Sequence, residues 1–136
     1  MREILFRGQT SSGNWKLGSL HIERGETDRN GNSTLDYRIL GMRGECSYIV
    51  AETIGQYTGL TDKNGTKIFE GDIVKTDKFS EPNKQYIIKY DLQFGAFICQ
   101  DKYNMYFVTF DGDSDQFEII GNIHDNPELL KGGVEE

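Results

Sequence analysis

The chain of 136 residues has the size of one compact domain or of two small subdomains, and its formal net charge is −7. Hydrophobic residues make up 36% of it and aromatic residues 12%, a composition that excludes an intrinsically disordered chain. No apolar run is long enough to cross a bilayer, and no signal peptide is recognisable at the start. We therefore expect a globular cytoplasmic protein without a membrane segment.

The first part of the chain predicts short strands separated by polar turns. Strands are expected at 2–7 and 14–22, around the loop GQTSSG, and then at 35–40 and 47–53. The turn DRNGNS precedes the third of these strands. Sixteen glycines, two alanines and the absence of a sustained helical period argue against helices.

The stretch 56–75, QYTGLTDKNGTKIFEGDIVK, has the densest turn chemistry in the chain. Asn64-Gly65 predicts the centre of a two-residue type I′ hairpin turn, because both central positions of that turn need positive φ. Asp62 is expected to accept hydrogen bonds from the turn backbone, and Gly71-Asp72 to lead the chain into a buried strand. We interpret these residues as forming the fold and not a catalytic site.

The remaining segments predict more short strands, at 85–91, 96–101, 103–110 and 117–123. Strands of this length and spacing favour a small closed or half-open barrel. Near the end, Asn126 as a cap and Pro127 as the first helical residue predict a single helical turn that stops at Gly132.

Together these patterns predict an all-β fold in two parts. Residues 1–55 form an N-terminal β-rich part, and residues 56–136 form a C-terminal barrel that ends in one short helical turn.

One acidic segment is the only candidate for a metal site. Asp111, Asp113 and Asp115 have the alternating spacing with which calcium loops begin. The glycine and the glutamate that such a loop requires at positions six and twelve are replaced by Gln116 and Asn122. We predict no metal and no cofactor, and we regard the three aspartates as the place where a cation would bind weakly.

Catalytic motifs are missing from the sequence. It contains no nucleophile elbow, no glycine-rich phosphate loop before a helix and no HExxH pattern. Cys46 and Cys99 have no second ligand at metal-binding spacing, so each is interpreted as a small buried apolar residue. We therefore predict that the protein is not an enzyme. Two carboxylates that meet across strands are the remaining route to catalysis.

Charge is distributed unevenly along the chain. Residues 1–55 hold seven basic and seven acidic residues and contain every arginine, whereas residues 56–136 hold eight lysines and fifteen acids. Arginine suits bidentate contacts at interfaces. Either the first part of one subunit docks on the acidic part of another, which would produce a homo-oligomer, or the segregation is chance. Candidate contact residues in the first part are Arg7, Trp15 and Arg43.

Three motifs in order resemble the YopX family of phage and prophage proteins: REILFRGQTSSGNWKLGSL, ETIGQYTGLTDKNGTKIFEGDIVK and IIGNIHDNPELL. The resemblance extends from Arg2 to Leu130 and departs at Ala51, near which family members often carry proline. It implies an all-β protein, encoded by a phage or an integrated prophage, with a C-terminal part similar to an SH3-type barrel. It implies no established activity and no catalytic or ligand residues.

We expect the protein to act as an interaction module that binds a host or phage protein. The run 103–107 motivates this expectation, because Tyr, Phe and Met are enriched at interfaces. In that run Tyr106 is expected to be exposed, while Tyr103, Met105 and Phe107 face the core.

The alternative is a small barrel that binds single-stranded nucleic acid through Arg7, Trp15 and Lys16. A net charge of −7 disfavours it, since such affinity comes from cations that neutralise phosphates. An enzyme of unrecognised type is a lesser alternative.

Overall fold

The structure of the protein is a computed structural model that describes residues 2–76, 84–101, 105–107 and 117–132. Strands dominate it and all their pairings are antiparallel, which confirms the all-β prediction. The strands are β1 (Phe6–Gln9), β2 (Trp15–Thr27), β3 (Ser33–Leu40), β4 (Cys46–Tyr48), β5 (Gly55–Thr61), β6 (Lys67–Phe69), β7 (Asp72–Thr76), β8 (Lys84–Asp91), β9 (Ala96–Gln100), β10 (Met105–Phe107) and β11 (Phe117–Asn122).

The chain divides into two compact units, an N-terminal unit at Met1–Gln56 and a C-terminal unit at Tyr57–Glu136. The division falls inside β5, whose first two residues pair with β1 and whose later residues pair with β6.

Four reverse turns share one hydrogen-bond pattern. Each turn has five residues. The N–H of its first residue donates to the C=O of its fifth residue, and the N–H of its fourth residue, a glycine, donates to the C=O of its first residue. The turns occupy residues 10–14, 28–32, 41–45 and 62–66. The four glycines have φ between +80° and +86°, a region that glycine enters at little cost. The pattern matches a type I turn followed by a left-handed residue, which is a common three-residue hairpin loop.

The turn at 62–66 therefore differs from the predicted one. The Gly65 N–H donates to the Asp62 carbonyl at 3.0 Å, so Lys63 and Asn64 are the central residues and Gly65 follows them. The predicted two-residue turn centred on Asn64-Gly65 was wrong, because the closing pair is Asp62 and Thr66.

The N-terminal unit is a sheet with the strand order β4-β3-β2-β1, followed by the start of β5. Ile39 and Ile49 are its buried apolar side chains. Two glycines permit close approach to neighbouring groups. A Cβ on Gly8 would lie 2.3 Å from the Ile49 Cγ2 atom, and a Cβ on Gly18 would lie 2.1 Å from the Leu40 carbonyl oxygen. Neither position has room for a side chain.

The predicted strand at 47–53 ends earlier than expected. β4 stops at Tyr48, and a short 3₁₀ helix occupies Ala51–Thr53. The Thr53 side chain favours this turn, because its hydroxyl donates to the Val50 carbonyl at 2.6 Å. The same hydroxyl oxygen accepts from the Gln9 N–H at 2.8 Å, which ties the turn to β1.

The C-terminal unit contains the β5–β6 hairpin and a five-stranded sheet with the order β10-β9-β8-β7-β11. One core cluster comprises Ile68, Val74, Tyr86, Ile88, Cys99 and Phe117. The described strands form an open sheet, so of the predicted closed or half-open barrel the closed form is corrected. The last strand returns to pair with β7, while the three-residue β10 pairs with β9 and lies at the opposite edge.

Asp62 joins the β5–β6 turn to β11. One carboxylate oxygen accepts from the Asn64 and Thr66 N–H groups at 2.9 Å, which confirms the predicted bonds to the turn. The other accepts from the Ile119 N–H at 3.1 Å. The carboxylate is buried and takes the place of backbone partners that a turn cannot supply.

The chain ends, within the described residues, in the predicted helical turn. This turn is a 3₁₀ helix at Pro127–Gly132, and the Leu129 N–H donates to the Asn126 carbonyl at 3.0 Å. The Asn126 side-chain oxygen accepts from the Asn122 N–H at 3.1 Å and not from the helix, contrary to its predicted role as a cap. No helix in the described part of the chain is long and apolar enough to cross a membrane.

Candidate binding site

The N-terminal sheet has a face directed away from Ile39, which we call the outer face. Directly paired residues of antiparallel strands share a face, and neighbours along a strand alternate. The pairs Ser19↔Leu40 and His21↔Arg38 therefore lie on one side, and Leu20↔Ile39 on the other. The outer face comprises Leu17, Ser19, His21, Glu23, Asp36, Arg38, Leu40, Cys46 and Tyr48.

Large apolar side chains of the outer face are exposed. Leu17 and Leu40 are about half exposed, and Tyr48 is 66% exposed. They come from three strands, β2, β3 and β4, which are adjacent in the sheet. Apolar groups grouped in this way, and not scattered singly, are typical of a surface that contacts a partner.

A polar cluster lies beside these apolar side chains on the same face. The Arg38 guanidinium forms an ion pair with the Glu23 carboxylate and lies 5.6 Å from the centre of the Tyr48 ring. The His21 Nε2 atom lies 3.4 Å from the other Glu23 oxygen. Arg38 is thus held by a carboxylate and by an aromatic ring, so that little of its side-chain freedom is left to lose on binding.

A shallow cavity opens on the outer face. Its volume is about 280 Å³, and it is lined by the outer-face residues Ser19, His21, Arg38, Leu40 and Cys46 together with Leu20, which lies between Ser19 and His21 in β2. Sites for small molecules and cofactors commonly measure about 300–1,000 Å³. A cavity at the lower end of that range suits the side chain of a partner protein better than a cofactor.

Two residues predicted from the sequence lie together on this side of the sheet. Arg7 pairs with Leu17, and Trp15 pairs with Gln9, so both share the side of the outer face. The Arg7 guanidinium lies 4.8 Å from the centre of the Trp15 ring. Arg43 lies apart from them in the exposed turn 41–45, next to Met42, which is 96% exposed.

The expected exposure of Tyr106 was wrong. Tyr106 pairs with Cys99, which is fully buried, so its side chain is on the core side of the sheet. It packs edge-on against Tyr86, with ring centres 5.9 Å apart. The side chains of Met105 and Phe107, and the residues Tyr103, Asp111, Asp113 and Asp115, lie outside the described residues.

Cys46 also differs from its prediction. It is exposed on the outer face, whereas Cys99 is buried as expected. Cys46 pairs directly with Leu40, and both belong to the side opposite Ile39. The local composition around Cys46 contains no signal for this, because the side of the sheet is set by the pairing register.

Leu17, Leu40 and Tyr48 were not recognised as contact residues from the sequence. One signal was present, since Leu40 follows Ile39 directly in β3 and neighbours in a strand point to opposite faces. Only one of the two could be in a core on one side of the sheet.

An ion pair with a buried carboxylate lies in the C-terminal unit. The Lys84 ammonium is 2.7 Å from an Asp101 carboxylate oxygen, and Asp101 is 1% exposed. Burial, followed by the neighbouring Tyr106 and Asp101, raises the pKa of Tyr86 to about 12. The Tyr86 phenol therefore stays protonated at neutral pH and cannot act as a base there. Among the residues described, no group of three or more His, Cys, Asp or Glu side chains is placed to hold a metal ion.

Comparison with known proteins decides the family. A family model described as YopX protein matches residues 7–131. The chain belongs to the YopX family.

Two solved structures are similar to this YopX family member. Protein EF1440 from Enterococcus faecalis has 25% sequence identity and a TM-score of 0.46, and the match covers 96% of this chain and 99% of that one. Protein yopX from Bacillus subtilis has 19% identity and a TM-score of 0.49, with 99% of this chain and 100% of that one covered. No curated protein matches the chain.

Proposed function

We propose that this YopX family member is a phage- or prophage-encoded accessory protein of the host cytoplasm. It binds a host or phage protein through the outer face and catalyses no reaction. The phage origin is what the resemblance to the YopX family implies, and the match of the family model over residues 7–131 supports that resemblance. The outer face supports the binding role.

The observation that carries the proposal is the exposure of Leu17, Leu40 and Tyr48 on the side of the sheet that also presents Arg38. Tyrosine and arginine are the residue types that most often dominate binding energy at interfaces. Burying each apolar side chain against a partner contributes about 1.5–3 kcal/mol at full burial. Because Leu17 and Leu40 are already about half buried, each can contribute only part of that free energy when a partner covers it.

Affinity capture from lysate of the infected host tests the proposal. The tagged protein is compared with Leu40→Ser and with Leu35→Ser, with and without nuclease. Leu35 is a matched control, because it lies in β3 and is similarly exposed but points to the other side of the sheet. We expect one stoichiometric protein that survives nuclease, is lost with Leu40→Ser and is retained with Leu35→Ser. Equal capture by all three proteins would contradict the proposal.

Nucleic-acid binding is the second candidate, and the contact between Arg7 and Trp15 favours it. A cation next to an indole ring is a common arrangement for stacking an unpaired base. Against it stands the net charge of −7. Fluorescence anisotropy with a labelled single-stranded oligonucleotide tests this candidate. Affinity that falls steeply with salt and is lost in Trp15→Ala would support it, and no binding at low salt would exclude it.

We also propose that copies of the chain associate with each other. The N-terminal unit is neutral but contains every arginine, and the C-terminal unit has eight lysines against fifteen acids, so arginines of one copy can pair with the excess acids of another. Light scattering at two concentrations is the test. A monomer mass at both would contradict self-association.

A further inference from the structure

The turn between β8 and β9 presents apolar side chains at its tip. Leu92 is 90% exposed and Phe94 is 53% exposed, and Tyr90 at the base of the turn is also exposed. We call these three residues the apolar tip. The tip is not a loose segment, because Tyr90 packs edge-on against Phe97 with ring centres 5.1 Å apart.

Hydrogen bonds fix the backbone of this turn. An Asp91 carboxylate oxygen accepts from the Gln93 N–H at 2.8 Å and from the Phe94 N–H at 3.2 Å. The Gly95 N–H donates to the Asp91 carbonyl at 2.8 Å, and Gly95 has φ of +61°. Asp91 and Gly95 are thus explained by turn chemistry.

These hydrogen bonds do not require the apolar side chains of Leu92 and Phe94. The turn at 62–66 in the same unit uses the same device, an aspartate that accepts from two turn amides, and its central residues are Lys63 and Asn64. An aspartate can therefore hold the backbone of a turn equally well when the tip is polar. Exposed leucine and phenylalanine on a fixed backbone are instead suited to insertion into a pocket, since little conformational freedom is lost on binding.

The apolar area of the tip and the net charge of its unit indicate which kind of partner the tip binds. Two apolar side chains provide less apolar surface than a single lipid chain, which by itself gives only marginal membrane binding. In a protein–protein interface, a few side chains that fill pockets near the centre supply most of the binding energy, so two apolar anchors are sufficient there. The C-terminal unit has eight lysines and fifteen acids and is therefore negatively charged. A partner whose pocket has a basic rim would attract this unit.

We propose that the apolar tip is a second docking surface, which inserts Leu92 and Phe94 into an apolar pocket with a basic rim on a protein partner. It goes beyond the proposed function, because it lies in the other unit and uses none of the residues of the outer face. A protein with one binding surface in each unit can connect two partners.

Site-specific photo-crosslinking in the host cell tests this inference. The full chain carries a benzophenone amino acid at position 92, or at position 64 as the control at a polar turn of the same unit. We expect a cross-link from position 92 to one protein that position 64 does not reach. Equal cross-linking from both positions, no cross-link from position 92, or cross-links only to lipid or to a second copy would overturn the inference.

Affinity measurements with the cross-linked protein, once purified, complete the test. Leu92→Ser and Phe94→Ser are each expected to weaken binding by about tenfold or more. Asn64→Ser and Leu40→Ser should leave it unchanged, the latter because it alters only the outer face. Affinity should also fall as salt is raised. Unchanged affinity in both tip variants, or binding insensitive to salt, would overturn the proposal.

Thermal unfolding checks that the variants fold. Leu92→Lys provides a second test at the same position, because it retains the Asp91 and Gly95 hydrogen bonds and adds a charge that a basic rim repels. It should weaken binding more than Leu92→Ser. An affinity equal to that of the parent chain would count against both the pocket and its rim.

Discussion

The two units of the chain handle their apolar residues differently. Among the described residues, the C-terminal unit has twelve buried hydrophobic side chains and three large exposed ones, whereas the N-terminal unit has two buried and eight exposed. Both units are antiparallel sheets joined by similar turns. The same architecture is thus used in one unit to enclose a core and in the other to present a surface.

This difference gives the two units different physical roles. Burial of apolar surface is the main favourable contribution to folding, so the C-terminal unit should contain most of the stability. The N-terminal unit should depend more on its hydrogen-bonded ladder and on close contacts at Gly8 and Gly18. Its exposed side chains are then available for a partner.

The largest expected effect comes from the core of the C-terminal unit. Phe117 is fully buried in the core cluster, so Phe117→Ala should lower the free energy of unfolding by about 3–5 kcal/mol. Leu17→Ala on the outer face should lower it by less than about 1 kcal/mol, because the side chain is half exposed. Urea unfolding measures both. A similar decrease in the free energy of unfolding in the two variants would contradict the proposed difference between the units.

Two aspartates in equivalent turns give the next effect. Asp62 accepts from two turn amides and from the Ile119 N–H while buried, so Asp62→Ala should cost about 2–4 kcal/mol. Asp28 accepts from the Asn30 and Asn32 N–H groups in an exposed turn, and Asp28→Ala should cost about 0.5–1 kcal/mol. Chemical denaturation compares them. Equal costs would show that burial and the bond to β11 add nothing.

Alkaline pH should act on the C-terminal core through Tyr86. Its folded pKa of about 12 lies above the ordinary value of 10.0, so between these values the unfolded chain loses a proton that the folded chain keeps. Stability should therefore fall as the pH rises from 10 to 12, by up to about 1.4 kcal/mol per pH unit from this group. Tyr86→Phe should remove that part of the slope. Identical slopes in both proteins would contradict the assignment.

The smallest effect concerns the ion pairs of Glu118. A hydrogen bond from Lys63, 3.1 Å away, lowers the pKa of the partly exposed Glu118 carboxyl, and Lys75 at 3.7 Å adds to it. Because the folded pKa is depressed, this contribution to stability is present at neutral pH and is lost as the pH falls through the folded pKa. In an NMR titration, Lys63→Gln should raise the pKa of Glu118 more than Lys75→Gln. The reverse order would contradict the geometry.

The sequence was sufficient for features that depend on local chemistry. Glycines and aspartates marked most of the turns, and the bonds of Asp62 to the turn at 62–66 followed from the residue types alone. The all-β class followed from short apolar runs without helical period. Even here, the hydrogen-bond pattern around Gly65 depended on which pair of residues closes the turn.

Features that depend on pairing register were not predictable. Tyr106 and Cys46 were assigned to the wrong sides of their strands, because the side is decided by the residues opposite, Cys99 and Leu40. The open sheet of the C-terminal unit depends on long-range pairing of β11 with β7. The outer face is likewise visible only once β2, β3 and β4 are in register.

The free energy of unfolding of the double variant Leu40→Ser/Tyr48→Ser tests the central claim most directly. If the outer face presents these side chains and does not pack them, urea unfolding should give a value within about 1 kcal/mol of the parent chain. A loss of about 3 kcal/mol or more, the size expected for buried apolar residues, would show that the face belongs to a core and would contradict its role as a binding surface.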